Sequence, residues 1–247
     1  VLIALCCLMF LYQLSVGGVG FLVGGGGVEA QIFFLKWGFI PDELVRGQPY
    51  TTINDVGIAR SIETPVPTWV TIFTSMFMHG GFMHFAGNMM FLWVFGDNIE
   101  DRLGHLKYLF FYLFTGVVAT LAHFAIDPSS STPLVGASGA ISGVLGAYFI
   151  LHPRVSVWGL LFSIIPMRLP TVIVLGSWIA LDVLNAFLDE GGAAGVAWWA
   201  HIGGFAAGIV LIPFFKHAHV PLWDRQPGAR IRQPIRLRKK GGPWGRP

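Results

Sequence analysis

Four polar side chains in otherwise apolar stretches of this sequence could together carry out acyl transfer. Ser138 lies in a Gly-Ala-Ser-Gly motif at the start of one apolar run, and His201 lies near the start of another. A serine hydroxyl is a poor nucleophile until a base such as imidazole accepts its proton. His84 and Asn88 are one helical turn apart in a third run, so both could donate hydrogen bonds to an oxyanion. The sequence predicts Ser138 as nucleophile, His201 as general base, and His84 and Asn88 as oxyanion donors.

Each of these residues also has a structural interpretation. Ser138 could be a packing residue, since small residues abound where membrane helices approach closely. His201 could bond a neighbouring carbonyl group. His79 and His84 could bind a metal, but their spacing is not that of a His-Glu-x-x-His site and no carboxylate shares their face. We predict no metal site, and we expect His79 to brace the loop before His84.

Three further polar residues lie in apolar runs near the candidate site. Asp182 could orient His201 as the third member of a triad, or it could bond its own helix neighbours, and the sequence leaves both open. Asn185 lies one turn further along the same run. Ser142, one turn after Ser138, could form a hydrogen bond, although packing is the favoured interpretation.

Composition indicates that the membrane is the solvent for these residues. The chain has 247 residues, of which 54% are hydrophobic and only 12% charged, with 32 glycines. Backbone groups in lipid must be satisfied within helices or a closed barrel, and long apolar runs favour helices. We predict an all-α, polytopic membrane protein with six transmembrane helices and a partly membrane-embedded first loop over 17–80. The predicted spans are 1–16, 81–95, 106–126, 136–151, 169–188 and 196–215.

Two apolar stretches are too short to span a bilayer, namely 69–78 and 155–165. We expect the first of them to be interfacial or buried in protein. The first span begins at Val1 without a preceding Met, so we also expect further residues before it.

Basic residues predict the orientation of the spans, because they concentrate on the cytoplasmic side. The loops after the third and fifth spans contain no Lys or Arg, whereas the segment after residue 215 is strongly basic. Both termini are therefore predicted to be cytoplasmic. The basic segment lacks interleaved aromatic residues, so we predict a topology signal or a contact with anionic lipids and no nucleic-acid partner. The predicted division is a transmembrane domain over 1–216 and a poorly ordered basic tail over 217–247.

Depth and spacing predict that the polar residues meet. With this orientation, the second, fourth and sixth spans are entered from the outer side, which places His84, Ser138 and His201 in about the outer third of the bilayer. His201, Gly204 and Gly208 share one helical face, and Gly139 and Gly143 form a matching small face on the fourth span. Such faces allow two helices to approach closely.

The combination of motifs resembles the rhomboid family of intramembrane serine proteases. The resemblance covers about residues 69–215 and follows the family order on the second, fourth and sixth spans. The matching pieces are His79-x-x-x-x-His84-x-x-x-Asn88, Gly96-x-x-x-Glu100-x-x-x-Gly104, Gly136-x-Ser138-Gly139 and Ala200-His201-x-x-Gly204-x-x-x-Gly208.

The resemblance implies a six-helix core with a water-filled cavity that opens outward, a Ser138–His201 dyad without an obligatory acid, and no cofactor. It implies oxyanion roles for His84, Asn88 and the Ser138 amide. It also implies structural roles for His79, Gly96, Glu100 and Gly104, and substrates that are membrane-spanning proteins. The compact plan favours a bacterial cytoplasmic membrane.

The sequence departs from the family pattern in two places. Many relatives carry an aromatic residue one turn after the serine, beneath the histidine, where this chain has Ser142. Many also carry a Trp-Arg pair in the first loop, and this loop has none.

The function predicted is an intramembrane serine endopeptidase. The alternatives are a non-catalytic relative that binds membrane proteins, which would be expected to lack the serine or histidine, and a transporter or channel, which would need polar residues through the full membrane depth.

Overall fold

The fold is mostly helical. The computed structural model describes residues 1–55, 58–161, 165–189 and 195–223 of the chain. A π-helical segment over Leu92–Gly96 joins the helix Phe82–Phe91 to the helix Asp97–Leu103 without a break. In chain order, the α-helices are α1 (Leu2–Gly17), α2 (Gly27–Trp37), α3 (Pro41–Arg46), α4 (Thr71–Ser75), α5 (Phe82–Phe91), α6 (Asp97–Leu103), α7 (His105–Ile126), α8 (Ser138–Leu151), α9 (Thr171–Leu188) and α10 (Trp198–Phe215).

A helix lies at each predicted span with ends within a few residues of the prediction, except that the second continues to Leu103, eight residues beyond its predicted end. Among the described residues, α7, α9 and α10 are long and apolar enough to cross a membrane, and α1 and α8 are shorter apolar helices. The protein is therefore an integral membrane protein. The short stretch before α5 is partly buried in protein, since Ile72, Met76 and Met78 all lie in the interior.

The all-α prediction was wrong in two loops, where the chain forms antiparallel β-hairpins. The first pairs β1 (Thr52–Asp55) with β2 (Ile58–Ser61), and the second pairs β3 (Ser156–Leu161) with β4 (Ile165–Pro170). The apolar stretch that begins at residue 155 is too short to cross a bilayer, so its backbone groups bond across a hairpin instead. On this hairpin the Arg168 guanidinium lies 5.3 Å from the centre of the Trp158 ring.

α8 is the central helix and packs directly against the backbone of α10. Most of its side chains are buried all round the helix. A Cβ atom added at Gly204 would overlap the carbonyl oxygen of Gly139, and one added at Gly208 would overlap that of Gly143. The two helices therefore touch along a seam of glycines, as their small faces predict, and this seam sets the distance between groups at the starts of α8 and α10.

A buried glutamine in α1 holds the segment that precedes α5. The side-chain amide of Gln13 donates to the His79 carbonyl oxygen at 3.0 Å, and the His79 N–H donates to the Gln13 side-chain oxygen at 3.0 Å. Gln13 is only 1% exposed. Both backbone groups of His79 are thus satisfied by one side chain from a distant helix, which fixes the entry into α5.

The folded body continues past the boundary predicted at residue 216. The His217 N–H donates to the Arg102 carbonyl oxygen at 2.9 Å, Val220 is buried in the main core, and the Trp223 N–H donates to the Ile150 carbonyl oxygen at 3.1 Å. The first residues of the predicted tail therefore pack against the C-terminal ends of α6 and α8. The rest of that tail lies outside the described residues.

We predict that Gly208→Ala destabilises the bundle by about 3 kcal/mol, because the new methyl group forces the backbones of α8 and α10 apart. Thermal unfolding in detergent micelles, followed by intrinsic fluorescence, measures the effect. Gly176→Ala in α9 is the matched control, since a Cβ there meets only the Phe149 ring at an ordinary 3.8 Å. Equal unfolding temperatures for the two variants would contradict the glycine seam.

We predict that Gln13→Leu costs roughly 2–4 kcal/mol of unfolding free energy, because it leaves the buried N–H and carbonyl group of His79 without partners. The same unfolding assay checks this value. Gln31→Leu makes the identical chemical change at an exposed position of α2 and should be close to neutral. Indistinguishable stabilities would show that the Gln13 bonds contribute nothing.

Candidate active site

The Ser138 hydroxyl and the His201 imidazole lie within hydrogen-bond distance. Ser138 is the first residue of α8 and His201 lies in the first turn of α10, so the glycine seam brings them together. The separation between Ser138 Oγ and His201 Nε2 is 2.8 Å. This is the geometry required for a hydroxyl that gives its proton to a base.

The ring of His84 and the Ser138 hydroxyl both lie next to Gly136. The Gly80 N–H donates to His84 Nδ1 at 3.1 Å, so in the neutral ring the proton is carried on Nε2. A Cβ atom on Gly136 would stand 3.0 Å from His84 Nε2 and 3.4 Å from Ser138 Oγ. Gly136 also has a φ of 139°, which disfavours any side chain there. The glycine thus leaves a space between a ring N–H donor and the serine hydroxyl.

Asn88 and His79 each contact His84, Asn88 through a hydrogen bond and His79 through ring packing. Asn88 is buried, and its side-chain N–H donates to the His84 carbonyl oxygen at 2.8 Å, which leaves its second N–H for another acceptor. The His79 ring packs edge-on against the rings of His84, at 5.5 Å, and Phe85, at 5.3 Å. Burial, reinforced by the nearby His84, lowers the pKa of His79 to about 3, so its ring stays neutral and packs like an aromatic residue.

The remaining nitrogen of His201 faces an acid on α9. Asp182 Oδ2 lies 2.9 Å from His201 Nδ1, and the two side chains are 5% and 12% exposed. Two indole rings also contact the imidazole. Trp178 lies at 5.8 Å with an interplanar angle of 32°, and Trp198 lies edge-on at 6.2 Å.

A cavity of about 450 Å³ adjoins the serine, the two histidines and the glycines beside them. Its wall includes Ser75, Thr120 and His84, and it reaches Ser138 and His201. The cavity volume is many times the roughly 10–15 Å³ that one water molecule requires. The polar side chains and the cavity therefore lie together at the N-terminal end of α8.

Two other residues singled out from the sequence are Glu100 and Ser142, and neither is among the described residues of the cavity wall. Glu100 lies at the far end of the continuous helix that starts with α5, about 24 Å from His84 at 1.5 Å per residue, where its carboxylate contacts His105 Nδ1 at 2.6 Å. It is therefore part of the α6–α7 connection and not of the site. The Ser142 hydroxyl is buried and donates to the Ser138 carbonyl oxygen at 2.7 Å within its own helix.

Two residues near the site were not predicted. Gln13 is a lone amide in an apolar span, and the cost of such a group in lipid was the signal that it needs a buried partner. Trp178 is one helical turn before Asp182 in the same span, and this spacing puts both side chains on one face.

Comparison with known proteins identifies the family of this chain. A model of the rhomboid domain matches residues 66–217. The chain is 29% identical over 156 residues to Rhomboid-like protein 11, chloroplastic, of Arabidopsis thaliana, a match that covers 59% of this chain and 52% of that protein. It is 30% identical over 179 residues to the human Presenilin-associated rhomboid-like protein, mitochondrial, covering 68% and 44%. It is 32% identical over 143 residues to Rhomboid protease GluP of Bacillus subtilis, covering 58% and 26%.

The chain spans about half the length of these relatives, or less. The rhomboid-domain match nevertheless includes α4 through α10, and with them every residue of the candidate site. The chain belongs to the rhomboid family.

Proposed function

We propose that the protein is an intramembrane serine endopeptidase that cleaves membrane-spanning segments of other membrane proteins. The observation that carries the proposal is the 2.8 Å separation between Ser138 Oγ and His201 Nε2 beside a cavity in an apolar bundle. The family includes a relative named as a protease, which agrees with this chemistry.

The proposed reaction is two-step acyl transfer. His201 Nε2 accepts the hydroxyl proton while Ser138 Oγ attacks the carbonyl carbon of the substrate peptide bond. The resulting imidazolium gives that proton to the leaving amine, and the C–N bond breaks to leave an ester on Ser138. Water then attacks the ester, His201 accepts a proton from that water, and the proton returns to Ser138 Oγ as the acid product leaves.

The developing oxyanion needs donors that are fixed in advance. His84 is suited to this role because its Nδ1 already accepts from Gly80, which commits the ring proton to Nε2 near the serine. The second side-chain N–H of Asn88 and the free backbone N–H of Ser138 at the start of α8 are the further donors. The positive end of the α8 dipole also favours negative charge at this point.

Helix lengths support a site below the membrane surface. α8 has 14 residues and is about 21 Å long at 1.5 Å per residue, shorter than the roughly 30 Å hydrocarbon core. Ser138 at its start would therefore lie beneath the outer surface, and the adjoining cavity would supply the water that hydrolysis requires. We propose that six helices span the membrane, namely α1, the continuous α5–α6 helix, α7, α8, α9 and α10, with both termini in the cytoplasm of a bacterial cell.

We predict that purified protein reacts covalently with a fluorophosphonate probe and cleaves a reconstituted single-span substrate. Ser138→Ala should abolish both, and His201→Ala should lower cleavage by about 10³-fold or more, because the hydroxyl loses its base. Ser177→Ala is the matched control, since that serine is exposed on α9 and bonds only its own helix turn. Probe labelling that survives Ser138→Ala would falsify the assignment of the nucleophile.

We predict that Asn88→Ala and His84→Ala each lower kcat by about 10²–10³-fold, because each removes a donor to the oxyanion. Kinetics with the same substrate check this, and thermal unfolding checks that the fold persists. Asn98→Ala is the control, since Asn98 is a half-buried residue of α6 whose side-chain N–H donates to the Val94 carbonyl oxygen of the same continuous helix. An unchanged kcat for either site variant would remove that residue from the oxyanion role.

A further inference from the structure

We infer that Asp182 is a positioning residue for His201, so that α9 completes a Ser138–His201–Asp182 triad. This inference rests on the proposed function and goes beyond the dyad that the family resemblance implies. Its basis is the contact of 2.9 Å between Asp182 Oδ2 and His201 Nδ1.

The burial of Asp182 is unusual for its helix. Only 17% of the apolar window of α9 is buried, against 33% for α7 and for α10. The buried residues of α9 are Thr171, Leu175 and Asp182, which lie on one face. A carboxylate at membrane depth is costly unless it is paired, and the hydrogen bond described for this one goes to His201 and not to its own helix.

The contact fixes which nitrogen of His201 can act as a base. A carboxylate accepts a hydrogen bond but cannot donate one, so Nδ1 must carry the ring proton. The lone pair of the neutral ring is then on Nε2, which is the atom 2.8 Å from Ser138 Oγ. When the ring becomes doubly protonated during the reaction, the same carboxylate stabilises the positive charge.

α9 also supplies one of the two indole rings beside the imidazole, and the other, Trp198, belongs to α10. Trp178 is one turn before Asp182, and its ring lies 5.8 Å from that of His201 at a shallow angle. The position on α8 where many family members carry an aromatic is Ser142, whose hydroxyl bonds the Ser138 carbonyl oxygen instead. In this chain, α9 therefore contributes both the acid and one of the two indole rings beside the base, through an i, i+4 pair of Trp178 and Asp182.

Steady-state cleavage of a reconstituted single-span substrate tests the triad with three variants. Asp182→Asn should lower kcat by about 10²–10⁴-fold, because the amide can present an N–H to Nδ1 and favour the wrong tautomer. KM should change by less than about threefold, since Asp182 is not among the described residues that form the cavity wall. Asp182→Glu, which keeps the charge, should recover at least about tenfold of the loss. Asp101→Asn repeats the chemical change at an exposed position of α6 and should have wild-type activity.

Nitrogen-15 NMR of histidine-labelled protein reads the tautomer directly, with His201→Ala to assign the signal. Wild type and Asp182→Glu should show the proton on Nδ1 of His201, and Asp182→Asn should shift it partly or wholly to Nε2. A merely structural role for Asp182 would lower the unfolding temperature without changing this tautomer.

The inference is overturned if Asp182→Asn keeps kcat within about threefold of wild type, or if the His201 tautomer is the same in both proteins. It is also overturned if Asp182→Glu is no more active than Asp182→Asn. These outcomes leave the dyad intact as long as wild type cleaves the substrate and Ser138→Ala does not. Failure of the proposed function itself would instead appear as a wild-type protein without activity or probe labelling.

Discussion

The contact between the backbones of α8 and α10 is the constraint on which the site depends. In lipid, helices gain little from hydrophobic burial and associate through close packing and polar contacts. Here glycines on both helices leave no side chain at the two closest crossing points, so the carbonyl groups of Gly139 and Gly143 lie directly against Gly204 and Gly208. Ser138 and His201 stand at the same end of this seam. In the proposed reaction, a displacement of about 1 Å can lower the rate by about two orders of magnitude. The packing of this seam therefore determines whether the Ser138 proton can pass to His201.

A second constraint follows from placing polar groups in an apolar bundle. Each group must find a partner inside the protein, because lipid offers none. The partners observed are specific: Gln13 bonds both backbone groups of His79, Gly80 bonds the ring of His84, and Asn88 bonds the carbonyl group of His84. These bonds form a connected chain from α1 to the entry of α5. The orientation of His84 therefore depends in part on Gln13, which is not among the described residues of the cavity wall and acts through the backbone of His79.

The sequence was sufficient where one local signal determined the structure. Apolar runs predicted the positions of the long helices, and small residues at helical spacing predicted the face that α8 and α10 share. It was insufficient where a partner lies far along the chain. The hairpin after α8 could not be read from the apolar run that starts at residue 155, because that run lacks the alternation of a half-buried strand. The partner of Gln13 is a backbone 66 residues away. Asp182 stayed ambiguous because its partner depends on the rotation of α9 about its own axis.

The division of tasks among the helices has a consequence for α9. The seam between α8 and α10 is closely packed and sets the distance between Ser138 and His201, the proposed nucleophile and base. In the inferred triad, the state of that base depends on Trp178 and Asp182, which belong to a helix that mostly faces outward and makes few buried contacts. Small shifts of α9 would leave Ser138 and His201 in place but weaken the bond that keeps the proton on Nδ1. The rate would then respond to the packing of lipid or substrate against α9, even though no atom of the seam moves.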